Sequence, residues 1–447
     1  MKYIYGLNKS GAAILNYFSK NKLSFIAWDD DIQIRDEALS KNDKIIFKRP
    51  NELDFSDIEE CFITPGIDFR DDKLNPFKLN KIKMYRDLEL YSRLISNQKI
   101  IAITGTNGKS TTTKLIGDLI KANKSRCFVG GNIGKPLLDF ENENDDSEHH
   151  VIELSSFQLE AAPSFKSMIS ILLNISNDHL DRYEKFEDYV NSKFNILNKH
   201  KNGYNIISID DRYTEKIYNN SNNSNNIPIS ISKSLDHGIS FIKGKIIDNY
   251  FFKNKIIKID KLSPSLFGHF NHQNVLAVYV VSYLLKISSL NFLKTIEDFQ
   301  GLPHRLEKIY EKNNLLIINN SKATNLNSTI NSISNYKNVY LILGGKIKDK
   351  NFAPLEEFKE NVIKCYIIGN SSKIIYNQIS EFIKSKICIT LDVAIHEILK
   401  DIRKNHLEKK NATILFSPAC SSYDQFKNFE DRGNKFKEII LNKLKRI

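Results

Sequence analysis

The chain has 447 residues, 41% hydrophobic and 26% charged, with 65 Lys and Arg against 53 Asp and Glu. That is the composition of a globular protein of about two to four domains, and no apolar run is long enough to span a membrane. The net charge of +12 invites a polyanion partner, but the lysines are dispersed rather than clustered, which argues against nucleic-acid binding. Met1-Lys2-Tyr3-Ile4-Tyr5-Gly6 enters a strand without a signal-peptide pattern, so the expectation is a cytoplasmic protein with no membrane partner. Cys61, Cys127, Cys365, Cys388 and Cys420 stand singly, which disfavours a disulfide scaffold or a cysteine zinc site. Cys420, in Ser-Pro-Ala-Cys-Ser-Ser, reads as a packed thiol rather than a nucleophile.

Residues 1–97 predict a first α/β unit, with strands at Tyr3-Ile4-Tyr5, Phe25-Ile26-Ala27-Trp28, Lys44-Ile45-Ile46-Phe47 and Cys61-Phe62-Ile63. Gly6-Leu7-Asn8-Lys9-Ser10-Gly11 after the first strand and Asp29-Asp30-Asp31 after the second resemble a dinucleotide fingerprint that lacks its middle glycine. An ordinary strand-to-helix turn is the alternative. Thr64-Pro65-Gly66 offers another close backbone approach.

Residues 98–301 predict a second unit. Its apolar strand leads into Thr104-Gly105-Thr106-Asn107-Gly108-Lys109-Ser110-Thr111-Thr112 and then a helix over 114–122. Strand, glycine loop and helix form a phosphate cradle: backbone N–H groups and the helix dipole face the anion, Lys109 adds charge, and the Ser110 hydroxyl suits magnesium. The pattern departs from the common P-loop in having Thr104 where glycine is usual. Gly130-Gly131-Asn132-Ile133-Gly134 follows, and a strand then delivers Glu153, a candidate second magnesium ligand beside the loop, with a plain surface glutamate as the alternative. Asn174-Ile175-Ser176-Asn177-Asp178-His179-Leu180-Asp181-Arg182-Tyr183 reads as a site rim, although His179 taken alone suits a structural histidine equally. The Asn-, Lys- and Ile-rich stretch 202–263 predicts a variable surface insertion with short strands and no chemistry. Gly268-His269-Phe270-Asn271-His272-Gln273-Asn274 predicts the cap of a helix over 275–285.

Residues 302–447 predict a third alternating unit, with strands at 315–318, 339–343, 365–368 and 413–416. Lys322, Lys348 and the hydroxyls of 417–422 lie in the loops after them, an edge suited to a carboxylate.

These stretches, together with Glu153-Leu154-Ser155-Ser156-Phe157-Gln158-Leu159-Glu160, Gly301-Leu302-Pro303-His304-Arg305, Ser321-Lys322-Ala323-Thr324-Asn325 and Asp424-Gln425-Phe426-Lys427-Asn428-Phe429-Glu430-Asp431-Arg432-Gly433, resemble the Mur ligase family from end to end. The last stretch points to its D-glutamate-adding branch. The resemblance implies an α/β fold of three-domain Mur ligase architecture: a Rossmann-like N-terminal domain, a P-loop ATPase central domain and a Rossmann-like C-terminal domain. It implies ATP and Mg2+, an acyl-phosphate intermediate, and UDP-N-acetylmuramoyl-L-alanine and D-glutamate as small-molecule substrates, with a monomer expected. Another Mur-type or folylpolyglutamate-synthase-like ligase, and a non-catalytic nucleotide- or nucleic-acid-binding protein, are the competing readings.

By position the resemblance assigns catalysis to Lys109, Glu153, His179 and Lys193, the last as a carbamate, with Ser110, Glu153, His179 and Lys193 at the metal. ATP falls to Gly105, Thr106, Asn107, Gly108, Lys109, Ser110, Thr111, Asn274, Arg305, Asn320 and Lys322. The UDP substrate falls to Ser10, Asp29, Gly66, Asn132, Ser155, Gln158 and His179, and D-glutamate to Lys322, Thr324, Lys348, Ser422 and Phe429. Asn320 stands where the family usually has Asp, which predicts a weaker nucleotide contact. Because these residues spread across the units, closure of the domains around the acyl phosphate is expected.

Overall fold

Strands that are apolar at every position belong in a sheet covered on both faces. The computed structural model, which describes residues 1–143, 146–178, 182–198, 203–266, 268–312, 314–348, 351–404 and 411–444, forms three such sheets. The chain divides into two compact units: residues 1–263 with 269–299, and residues 264–268 with 300–447.

The first unit carries two sheets. One is parallel, in the order β2 (Phe25–Trp28), β1 (Lys2–Tyr5), β3 (Glu60–Ile63), β4 (Lys83–Tyr85). The predicted strand at 44–47 is reduced to a single bridge between Ala27 and Phe47; of those four residues only Ile45 is buried, so one face of a strand there has nothing to pack on. The larger sheet is built from β5 (Ile100–Thr104), β6 (Cys127–Gly131), β7 (His149–Glu153), β8 (Ile169–Leu172), β9 (Tyr204–Ser208), β10 (Asn226–Ser230), β11 (Ile239–Ile242), β12 (Lys245–Asp248) and β13 (Lys255–Lys258). Its order is β13-β12-β11-β10-β9-β8-β5-β7-β6, parallel from β6 to β11 and antiparallel through the last two strands.

The stretch predicted as a surface insertion therefore supplies five strands of this sheet. Ile206, Ile207, Ile227 and Ile229 are fully buried, and the asparagines at the edge of the low-complexity run form a ladder. Asn205 Nδ2 donates to Asn226 Oδ1 at 2.8 Å and to the Asn198 carbonyl at 3.0 Å, and Asn223 Nδ2 donates to the same carbonyl at 2.8 Å.

One apolar core serves both sheets. Ile4, Ile14, Phe18, Phe62 and Tyr91 join Phe128, Leu137, Phe140, Ile152 and Leu159 in it, so position 97/98 separates two sheets without separating two cores.

The second unit holds β14 (Glu307–Lys312), β15 (Leu315–Asn319), β16 (Val339–Gly344), β17 (Val362–Ile368), β18 (Ser385–Ile389) and β19 (Ala412–Phe416), in the order β14-β15-β19-β16-β17-β18. All but the β14–β15 pair are parallel. Separate apolar clusters cover its two faces, the three-layer solution for a parallel sheet. β14 and β18 were not expected from sequence; both lie at sheet edges and are only half-buried.

Candidate active site

In a parallel sheet the loops after the strands share one edge, and the strand from which neighbours are added in both directions opens a crevice there. β5 is that strand, with β7 on one side and β8 on the other. Its five residues are buried, and the chain leaves it into the loop 105–108.

Asn174, just past β8, holds that loop. Its carbonyl accepts the Thr106 N–H at 2.8 Å, and its side chain accepts the Asn107 N–H at 2.8 Å while donating to the Asn107 carbonyl at 3.1 Å. Gly108 caps the helix Lys109–Ala122 with a φ of +84°, the left-handed region open to glycine. A Cβ there would lie 2.4 Å from Asn274 Oδ1. Asn274 also accepts from Thr112 Oγ1 at 3.1 Å and donates to Asn271 Oδ1 at 2.9 Å. Both asparagines belong to the helix His269–Leu284, so they lie inside it rather than capping it as expected.

Two lysines converge on one carbonyl. Lys109 Nζ donates to Gly105 O at 2.8 Å and to Thr106 O at 2.9 Å, and Lys193 Nζ donates to Gly105 O at 2.9 Å. Lys193 lies on the helix Phe186–Phe194, is 2% exposed, and sits 4.8 Å from the ring of Tyr189, whose hydroxyl is 2.9 Å from Thr106 Oγ1. Burial, with the Lys109 charge adding to it, holds the Lys193 amine well below its ordinary pKa; Asp178 and Glu153 oppose that shift.

Glu153 ends β7 and pairs in register with Ile103 of β5 and Gly131 of β6. It is 1% exposed, and its Oε1 accepts from Asn132 Nδ2 at 3.0 Å. Buried Ser110 and buried Glu153 thus stand at the ends of adjacent elements along one edge. A hydroxyl and a carboxylate suit magnesium, which takes few protein ligands beside phosphate oxygens. No group of three or more His, Cys, Asp or Glu side chains able to hold a metal occurs among the described residues.

The first sheet's edge is tied into this one. Ser155 and Gln158 form a reciprocal helix cap, with Gln158 N donating to Ser155 Oγ at 3.2 Å and Ser155 N to Gln158 Oε1 at 3.1 Å. Gln158 Nε2 donates to Asp87 Oδ2 at 3.2 Å, and the Ser10 side chain bonds to the same carboxylate, whose pKa burial pushes up. Asp29 accepts Leu7 N–H at 2.6 Å and Asp31 N–H at 2.9 Å, fixing the loop after β1 to the end of β2. Two arginines gather the carbonyls around Gly66. Arg86 donates to Ile63, Thr64 and Ile67 and pairs with Glu160 at 2.7 Å, and Arg182 donates to Pro65, Gly66 and Ile67.

In the second unit the loops after β15, β16 and β19 carry the polar groups. Asn320 is buried, its Oδ1 accepting Leu306 N–H at 3.2 Å and its Nδ2 donating to Ser332 Oγ at 2.6 Å and Ser417 Oγ at 3.1 Å. Lys322 Nζ lies 4.6 Å above the Phe429 ring, and Ser422 is buried. Thr324 and Arg305 are half-buried, and Lys348 is exposed. His304 is buried, with Nδ1 2.9 Å from Asn319 Nδ2.

Residues 103–282 match the family description "Mur ligase middle domain". UDP-N-acetylmuramoylalanine–D-glutamate ligase from Rickettsia prowazekii (strain Madrid E) is 36% identical over 439 residues, 97% of this chain and 96% of that protein. The protein of the same name from Fusobacterium nucleatum subsp. nucleatum is 36% identical over 98% of both chains. The chain belongs to the Mur ligase family. The crystal structure of UDP-N-acetylmuramate-alanine ligase MurC from Thermotoga maritima shares the fold, with a TM-score of 0.62 at 16% identity over 99% of both chains. So does MurF from Acinetobacter baumannii, with a TM-score of 0.59 at 14% identity over 86% of this chain and 85% of that one.

Within this Mur ligase the structure gathers Gly105, Thr106, Asn107, Gly108, Lys109, Lys193 and Asn274 around one loop. It joins Asn132 to Glu153, and Ser10 to Gln158 through Asp87. Thr111 is half-buried in the first turn of the P-loop helix. His179 lies outside the described residues. Sequence reasoning passed over Asp87, Arg86 and Tyr189; each is ordinary in sequence and becomes distinctive only through what it contacts.

Proposed function

We propose that this Mur ligase adds D-glutamate to UDP-N-acetylmuramoyl-L-alanine at the expense of ATP, through an acyl phosphate, in peptidoglycan precursor synthesis. What carries the reading is a complete phosphate loop inside a chain that aligns end to end with relatives bearing that activity in their names. We assign residues 1–97 to the UDP end, 98–301 to ATP and 302–447 to the amino acid. ATP and UDP-linked precursors are cytoplasmic metabolites, so the cytoplasm is where such an enzyme works.

Transfer of a phosphoryl group asks the protein for position and charge more than for covalent chemistry. The N–H groups at the start of the helix Lys109–Ala122 hold the β- and γ-phosphates, and Lys109 exchanges two carbonyl partners for phosphate oxygens. Ser110, Glu153 and a carbamylated Lys193 would hold magnesium, which supplies charge neutralisation when bound. Burial pushes the Lys193 amine toward its neutral form, which is the form that adds carbon dioxide, and the loss of one proton then leaves the anion. Asn132, Ser155 and Gln158 orient the alanyl end; Lys322, Thr324 and Ser422 present the amine of D-glutamate to the acyl phosphate.

Phosphate release from ATP, measured with the UDP substrate and with or without D-glutamate, tests this. Release should require both substrates and fall at least about 100-fold in Lys109→Ala. Stimulation by a different amino acid would reassign the acceptor, and no stimulation by any would overturn the ligase reading.

A further inference from the structure

Arg432 lies in the first turn of the helix Phe429–Leu444 and is 1% exposed, and the Asp424 carboxylate acts on it through space. Its acceptors are neutral. Nε donates to Ser321 Oγ at 3.1 Å, one terminal nitrogen to Ser321 O at 2.7 Å, and the other to Cys420 O at 3.0 Å. A third loop closes over the same group: a Cβ on Gly345, whose φ is +141°, would stand 3.2 Å from Arg432 and 2.4 Å from the Ser421 carbonyl. One guanidinium therefore underlies the loops after β15, β16 and β19, which are neighbours in the sheet.

We propose that Arg432 is the positioning residue of the amino-acid site, setting the loop that carries Lys322 against the loop that carries Ser422 for a substrate with two carboxylates. The inference rests on the assignment of D-glutamate to this edge.

Two arguments support it. A guanidinium is a rigid planar fork, so bonds to Ser321 on one side and Cys420 on the other fix the spacing between two loops, which a lysine's single ammonium does not. A guanidinium buried on neutral hydrogen-bond acceptors, with only the Asp424 carboxylate among the described residues acting on it through space, also leaves positive potential at this edge, which favours a dianionic ligand. Burial lowers the pKa of this arginine only to about 10, so the charge persists at neutral pH.

The test is steady-state kinetics on Arg432→Lys, which keeps the charge and loses the fork, and on Ser321→Ala, which removes one acceptor from an intact fork. We expect KM for D-glutamate to rise about 10- to 100-fold in the first and less in the second, since displacement by about 1 Å is enough for such losses. KM for ATP and for the UDP substrate should stay within about twofold. An unchanged KM for D-glutamate, or three constants rising together with a falling Tm, would reduce Arg432 to a structural residue. Should Arg432→Lys fail to fold, Ser321→Ala decides by the same comparison. Wild-type turnover that ignores D-glutamate would remove the underlying assignment and the proposal with it.

Discussion

The Gly105 carbonyl accepts from the Nζ groups of two lysines, and the two sit there on unequal terms. Lys109 is half-buried at a helix start, whereas Lys193 is fully buried, and each charge discourages the other. Because burial lowers the folded-state pKa of Lys193 below its unfolded value, the unfolded chain binds more protons between those two values, and stability rises with pH across that window. Lys193→Met, compared with wild type by thermal melts in CO2-free buffer, should therefore be neutral or stabilising by about 1 kcal/mol or more at neutral pH. The advantage should shrink as pH rises toward the ordinary lysine range, while ligase activity is lost. A variant less stable at every pH would sink the idea that burial depresses this lysine's pKa. Nothing in Tyr-Val-Asn-Ser-Lys-Phe marks Lys193 as buried, and only the family resemblance pointed to it. Asn320 is the converse case. Its departure from Asp was visible in sequence, but not its reason: Ser332 Oγ donates to Ser328 O and Ser417 Oγ to Thr329, so both hydroxyls present acceptors, and an amide donates to them where a carboxylate does not.

At the scale of elements, the P-loop and the helix His269–Leu284 work as a pair. The side chain of Asn274 occupies the space a Cβ on Gly108 would need, and it also anchors Thr112 one turn into the P-loop helix. Gly108→Ala should thus cost about 1–3 kcal/mol in denaturant unfolding from its left-handed backbone alone, with the contact to Asn274 added. In an Asn274→Ala background the cost should drop by about 0.5 kcal/mol or more, the coupling expected of groups in contact. Strict additivity would show that only the backbone angle matters. Strand, loop and helix at 100–122 were legible because buried periodicity and glycine spacing agree there. The start of the partner helix was misread for a physical reason: Asn and Gln at a helix start ordinarily cap it, whereas here Asn271 and Asn274 face each other and the loop from inside the helix, and Gln273 bonds to Asn174 and Ser208. The asparagine-rich run at 219–226 was misread because low complexity usually means no packing partner. Its Asn223 and Asn226 find theirs in Asn198 and Asn205, a pairing that spacing along the chain does not reveal.

At the scale of the whole molecule, the proposed assignment divides the chemistry between the two units. The unit that contains residues 1–263 holds the phosphate loop, the magnesium candidates Ser110, Glu153 and Lys193, and the polar chain from Ser10 to Gln158, with one apolar core shared between its two sheets. The other unit holds the carboxylate-suited edge and Arg432 beneath it. On that assignment, forming the acyl phosphate engages the first set, and only the second half-reaction needs the amino acid. Variants should therefore split by step. With ATP and the UDP substrate but no D-glutamate, hydroxylamine should trap the activated alanyl carboxylate as a hydroxamate in wild type. Ser422→Ala, whose buried hydroxyl lies on the amino-acid edge, should form that hydroxamate at a rate within about threefold of wild type while amide formation falls about 10- to 100-fold. Lys109→Ala should lose both together, because the interaction it removes precedes the branch between them. A Ser422→Ala enzyme that lost hydroxamate and amide in equal measure would mean that this edge also takes part in activating the carboxylate, and the division of labour between the units would fail.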